Sequence, residues 1–131
     1  MLKVSNNKIM INRGDIGVLA ISIQNEDSTP YTFKVGDVIR FKITKENDYS
    51  TVVLQKDTTV ETESTEVDIE LLSIDTTIGD LIDAPVNYWY EVELNPDTAP
   101  QTVIGYDQKG AKLLVLYPES GNIEWYDLKV T

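Results

Sequence analysis

The sequence contains no cysteine and no histidine. Without cysteine there is no disulfide framework, no thiol nucleophile and no thiolate zinc site. Without histidine there is no serine–histidine–aspartate triad, no imidazole base and no ordinary transition-metal centre. Catalysis would fall to carboxylates, lysine, tyrosine and water, and a glycosidase built on two carboxylates also needs a cleft for sugar beside its own core. The chain is therefore expected to be non-enzymatic, with no cofactor and no bound metal. Basic residues are scarce as well. Eleven lysines and arginines stand against 22 aspartates and glutamates, a formal charge of −11. That field repels a phosphate backbone, so nucleic acid is not an expected partner. No apolar run is long enough to cross a bilayer, so no membrane partner is expected either. The opening residues Met1-Leu2-Lys3-Val4-Ser5-Asn6-Asn7 lack the apolar centre of a secretory signal.

What is present is a two-residue period. At 131 residues, with 41% apolar side chains, the chain is the size of one domain, expected over 1–131. Residues 16–24 place Leu19, Ile21 and Ile23 on one face. Residues 38–44 set Ile39, Phe41 and Ile43 against Arg40, Lys42 and Thr44. Residues 65–71 alternate Val67, Ile69 and Leu71 with Glu66, Asp68 and Glu70. Residues 87–94 alternate Tyr88, Tyr90, Val92 and Leu94 with Trp89, Glu91 and Glu93. Side chains on a strand point to alternate faces, so each stretch predicts a half-buried strand. Shorter strands are expected over Lys8–Asn12, 52–55, 102–106, 111–117 and 123–130. The run 113–116 is apolar on both faces, as in a strand covered on both sides. The 107–110 connection has hairpin length and ends in Gly110. Only 73–83 departs from the pattern. Ile74, Ile78, Leu81 and Ile82 fall at helical spacing, with Ser73 as N-cap and Pro85 as stop, which predicts a short helical turn crossing between sheets.

Three motifs invite function. Arg13-Gly14-Asp15 matches an integrin-recognition tripeptide, but it reads as a tight turn in which glycine takes the unusual φ and Asp15 bonds backbone. Asp75, Asp80 and Asp83 suggest calcium, yet their spacing is not that of an EF-hand loop, and a solvated acidic face accounts for them. The aromatics say more. Two tryptophans, Trp89 and Trp125, fall on the opposite faces of their strands from the apolar sets. Exposed aromatics bring large contact area at low entropy cost, so these two are the leading interface candidates.

The order of motifs is also distinctive. Arg13-Gly14-Asp15 precedes an alternating strand, then come Val38-Ile39-Arg40-Phe41-Lys42-Ile43, Ile69-Glu70-Leu71, Asp75-Thr76, Tyr88-Trp89-Tyr90-Glu91-Val92-Glu93-Leu94 and a closing Val130-Thr131. This order resembles the amino-terminal β-sandwich domain of baseplate upper proteins from tailed phages of Gram-positive hosts. The resemblance implies an immunoglobulin-like sandwich that acts as a structural module of the tail tip. The run 105–119 is longer than that family's closing hairpin.

The expected protein is thus an all-β, immunoglobulin-like antiparallel sandwich of about eight strands with one short helical turn. Its expected role is that of a structural or adaptor component of a phage or prophage tail or baseplate. Its partners would be other tail proteins or a second copy of itself, in the virion tail after assembly in the bacterial host cytoplasm. A carbohydrate-binding module using Trp89, Trp125 and nearby tyrosines is the alternative. In the sandwich, 38–44 and 87–94 become antiparallel neighbours. That sets Arg40 and Lys42 beside Glu91 and Glu93 on the outer face, with Trp89, which is expected to serve docking and to add little to monomer stability. Charge yields a first test. Excess acidity makes the folded surface repel itself, so moderate salt should stabilise the protein by screening over about 8 to 10 Å. A melting temperature that falls steadily from low salt to roughly 0.3 M would contradict this.

Overall fold

The computed structural model describes residues 2–121 and 123. The strand expected over 123–130, and with it Trp125, lies outside the described residues apart from Ile123. Nine strands form among those described: β1 (Leu2–Ser5), β2 (Lys8–Asn12), β3 (Gly17–Ile21), β4 (Val38–Lys45), β5 (Asp48–Thr59), β6 (Val67–Leu71), β7 (Val86–Leu94), β8 (Gln101–Ile104) and β9 (Lys112–Tyr117). A single helical turn, α1 (Ser73–Thr76), joins β6 to β7. The protein is all-β.

Two sheets share the core. The larger runs β1-β2-β9-β7-β4-β5, with β8 also on β7, and the smaller is β3-β6. The β1–β2 hairpin closes through Asn6 and Asn7, both at positive φ (52° and 62°), with Ser5 opposite Lys8. Two left-handed residues match the twist of a two-residue hairpin, and asparagine tolerates that region better than most residues. The sheet is not wholly antiparallel as expected, because β2 and β9 pair in parallel.

The 102–117 region also differs from a hairpin. β8 and β9 do not pair with each other. Both run antiparallel to β7, β8 along residues 92–94 and β9 along 86–90. Since β4 occupies the other edge of β7, β8 and β9 are two segments of one interrupted strand. Residues 105–111 are an excursion between them, folded back on itself by paired backbone hydrogen bonds between Asp107 and Gly110.

The β4–β7 pairing follows the expected register. Phe41 faces Val92 and Ile43 faces Tyr90, all buried. Leu19 and Ile21 from β3, and Val67, Ile69 and Leu71 from β6, complete the core against Ile9, Ile11, Leu114 and Leu116. On β9, Val115 is buried too, on the opposite face from Leu114 and Leu116, so this strand is covered on both sides as its composition predicts.

The helical segment is shorter than the 73–83 spacing predicts. Ile74 and Leu81 are exposed, and only Ile78 of the apolar set is buried. Ser73 is not the cap; its hydroxyl donates to the Gly14 carbonyl (2.6 Å), while the Asp75 carboxylate accepts the Leu72 N–H (2.8 Å). Asp75 also pairs with Lys56 of β5. Gly79, at φ +65°, turns the chain away from further helix.

Arg13-Gly14-Asp15 is a turn, with Gly14 at φ +87°. Its arginine is committed inward: Nε donates to the Ile78 carbonyl (3.1 Å), Nη2 to the Gly79 carbonyl (2.6 Å), and Nη1 pairs with Glu119. Asn12, nearly buried, donates to the carbonyls of Pro118 (2.9 Å) and Gly121 (2.8 Å). These two residues tie the end of β9 and the β6–β7 crossing to one corner. An arginine held this way is not displayed for recognition.

Truncation in the core should be the most damaging change. Phe41 is fully buried between the sheets, so Phe41→Ala should cost about 3 to 5 kcal/mol. Urea unfolding would show a lower midpoint at similar slope; a loss under about 1 kcal/mol would mean that the faces of β4 are misassigned.

Candidate functional site

The register that buries Phe41 and Ile43 sends Arg40, Lys42 and Thr44 to the outer face of the large sheet, opposite Glu93, Glu91 and Trp89 of β7. Five of the six residues expected at an interface therefore come together: Arg40, Lys42, Trp89, Glu91 and Glu93. The sixth, Trp125, is outside the described residues.

The ionic partners differ in detail from simple cross-strand pairs. Lys42 takes both glutamates, with Nζ 2.9 Å from Glu91 and 2.8 Å from Glu93. The Glu93 oxygen is buried and meets no aligned hydrogen-bond donor, so its tie to Lys42 is ionic. Arg40 turns the other way. It forms a two-pronged contact with Asp57 of β5 (2.9 and 3.0 Å) and reaches Asp97 beyond β7 (3.3 Å). Two cations thus meet four carboxylates, and each charge has an opposite neighbour. Contact with Glu93 first, and Glu91 second, holds the Lys42 pKa above its ordinary value.

Beside this ionic band lies an aromatic one that sequence patterning did not assemble. Trp89 packs between Tyr49 (ring centroids 4.8 Å) and Tyr106 (6.1 Å). Tyr49 is at the start of β5, where that strand slips register twice against β4, after Ile43 and again after Thr44. The extra residues bend the strand and carry Tyr49 over the face of β7. Tyr106 comes from the excursion between β8 and β9 and is 66% exposed. Burial, then the charge of Glu91, raises the Tyr49 pKa. Trp89 itself is only half-exposed, and its strand partner Thr44 is fully buried with no hydrogen-bond partner for its hydroxyl. Trp89 is therefore partly packed within the monomer, with Tyr49 and Tyr106 against its ring. The sequence signal for Trp89 was its phase; for Tyr49 there was none, because register slips leave no periodic trace.

The three aspartates do not converge. Asp75 is engaged by Lys56 and the Leu72 N–H, while Asp80 and Asp83 are exposed. Among the described residues no group of three or more carboxylates is arranged to hold a metal ion, and no helix is long and apolar enough to cross a membrane.

The Lys42 cluster gives a pH test with a definite sign. A lysine whose folded pKa is raised contributes its stabilisation fully below the unfolded value of about 10.4 and loses it as pH rises through the folded value. The wild-type advantage over Lys42→Met should thus hold from about pH 7 to 10 and shrink above that. An advantage unchanged at higher pH would mean that the charge contributes nothing.

Comparison of the chain with protein-family models, with curated proteins and with solved structures finds no match.

Proposed function

We propose that this chain is a non-enzymatic structural or adaptor protein of a phage or prophage tail, acting through protein contacts on the outer face of its large sheet. The observation that carries this reading is the Tyr49–Trp89–Tyr106 cluster, set on a face whose charges are already paired with one another. Aromatic rings at the centre of a patch supply most of the energy of typical protein interfaces, and neutralised ions at the rim limit the desolvation cost. Glu91 and Glu93 are both engaged by Lys42.

The strand order supports an immunoglobulin-type arrangement. β9-β7-β4-β5 opposite β3-β6 matches the G-F-C-C′ and B-E strands of the variable-type sandwich. One departure is that β1 and β2 both join the larger sheet, so that β3 has no first-strand neighbour among the described residues. The order of motifs, which resembles that of phage baseplate upper proteins, supplies the tail assignment, with other tail proteins or a second copy as partner. The carbohydrate-binding alternative gains nothing from the geometry. The rings are inclined at 49° and 59° to one another, so they do not form a flat platform for a sugar ring.

Mass spectrometry of purified virions from a strain carrying the gene tests the assignment: the chain should be present in stoichiometric amount. Trp89→Ala should cost the monomer roughly 1 to 2 kcal/mol, less than Phe41→Ala, while sharply reducing incorporation. Absence from virions, or a saturable change in tryptophan fluorescence on glycan titration, would overturn the proposal.

A further inference from the structure

A second surface lies on the open side of the sandwich, away from the aromatic face. Among the described residues β3 pairs only with β6, and no described strand lies along its other edge. The reason is visible at the start of the chain. β1 folds back onto β2 in the large sheet instead of pairing with β3, and crosses the beginning of β3 at Gly17. A side chain at Gly17 would stand 2.9 Å from the Cβ of Leu2, so only glycine lets β1 pass.

Between β1 and the edge of β3 that no described strand pairs lies an apolar groove of about 380 Å³, lined by Val4, Ile9, Leu19, Ile21, Tyr90 and Ile104 among others. It shares Asn7, Ser22 and Ile104 with a larger, more polar cleft of about 800 Å³ that continues past β8 toward Thr65 and Glu66. The two form one trough, running on beyond the five residues of β3. Val4 and Val18 stand at its edge, 51% and 53% exposed.

We infer that this trough takes an extended strand from a protein partner, added to the edge of β3 left unpaired among the described residues, with apolar residues inward and basic residues outward. The backbone geometry asks for a strand, because a bare edge offers a row of donors and acceptors that only another extended chain satisfies in register. The inward side chains would fill the apolar groove. The outward ones would lie beside Val18 and Ala20, which face Glu70 and Asp68 across β3–β6. Glu66 extends the same acidic row and also lines the polar cleft. Lys3 and Lys8, on the far rim, belong to the face of β1–β2 opposite Val4 and Ile9. The chain as a whole carries −11, so a basic strand is steered to it as well as held. This surface is separate from Tyr49, Trp89 and Tyr106 and stands whether or not that face docks.

The test uses the whole chain and a capped nonapeptide alternating valine and lysine. Saturable binding is expected by fluorescence anisotropy, with slowed amide exchange confined to β3. Val18→Lys and Val4→Asp should each weaken it roughly tenfold or more, the first by repelling the outward lysines and the second by placing a charge in the apolar groove, and their thermal melts report whether they fold. A valine–glutamate peptide should bind at least about tenfold more weakly. A valine–lysine peptide N-methylated at alternate amides should lose binding, in each of the two possible phases of methylation, since one blocks hydrogen bonding and the other the approach to the groove. Equal binding by the methylated peptides would show attraction by charge alone and overturn the inference. So would binding indifferent to Val18→Lys, no exchange protection in β3, or self-association of the chain abolished by Val18→Lys, which would make a second copy the occupant.

Discussion

The antiparallel register of β4 on β7 is the constraint on which the rest of the molecule depends. Phe41 opposite Val92 and Ile43 opposite Tyr90 place the largest apolar side chains between the sheets. The same register necessarily brings Lys42 to Glu91 and Thr44 to Trp89 on the other side. A slip of one residue would exchange the two faces, burying Arg40 and Lys42 and exposing Phe41. The core thus selects the register, and the outer face inherits its geometry. The ion pairs there add modest energy but oppose the slipped alternatives, because like charges or a buried lysine would result.

A second device holds the ends of the sheet together. Asn12 fastens the turn after β9, and Arg13 fastens the crossing that follows α1. Each side chain satisfies backbone carbonyls that have left the ladders, where an unmet acceptor would be costly once buried. At the other edge of the large sheet, Lys56 points to the core side, opposite Phe41, and meets Asp75 rather than water alone. An inward-facing charge on an outer strand disfavours pairing with a further strand. Among the described residues the two sheets therefore treat their edges differently: an inward charge guards β5, and no described element covers the outer edge of β3.

Much of this was legible in the sequence, and the failures have physical causes. The four long alternations gave β3, β4, β6 and β7 because one face of each is buried and the other wet, the condition under which period two appears. β1 escaped notice because four residues at a chain end, three of them exposed, carry almost no pattern. β5 was seen only at 52–55, since its register slips and mixed polarity hide the remaining residues of a twelve-residue strand. The 73–83 spacing was helical by coincidence: Ile74 and Leu81 are exposed, so no buried stripe enforced it. The interrupted strand of β8 and β9 was read as a hairpin because a turn containing glycine looks the same in either setting; only the pairing partner, β7, distinguishes them. Strand phase alone places five of the six interface candidates on one face, whereas Tyr49 reaches that face through a bulge.

The proposed adaptor role requires two separate attachments, and the fold provides surfaces of two different kinds. The outer face of the large sheet is an area of side chains, rigid because β4, β5 and β7 pair beneath it, and suited to a partner with its own preformed surface. The trough beside β3 is an edge of backbone, suited to a flexible segment that orders on arrival. Ordering such a segment costs conformational entropy, which a row of main-chain hydrogen bonds and a filled apolar groove must offset. Specificity on the first surface would come from the shape around Trp89; on the second it would come from alternation and charge. Because one is the outer face of the large sheet and the other runs along the edge of β3, a partner on one need not displace a partner on the other. That separation follows from a single topological choice, the placing of β1 on β2 instead of on β3.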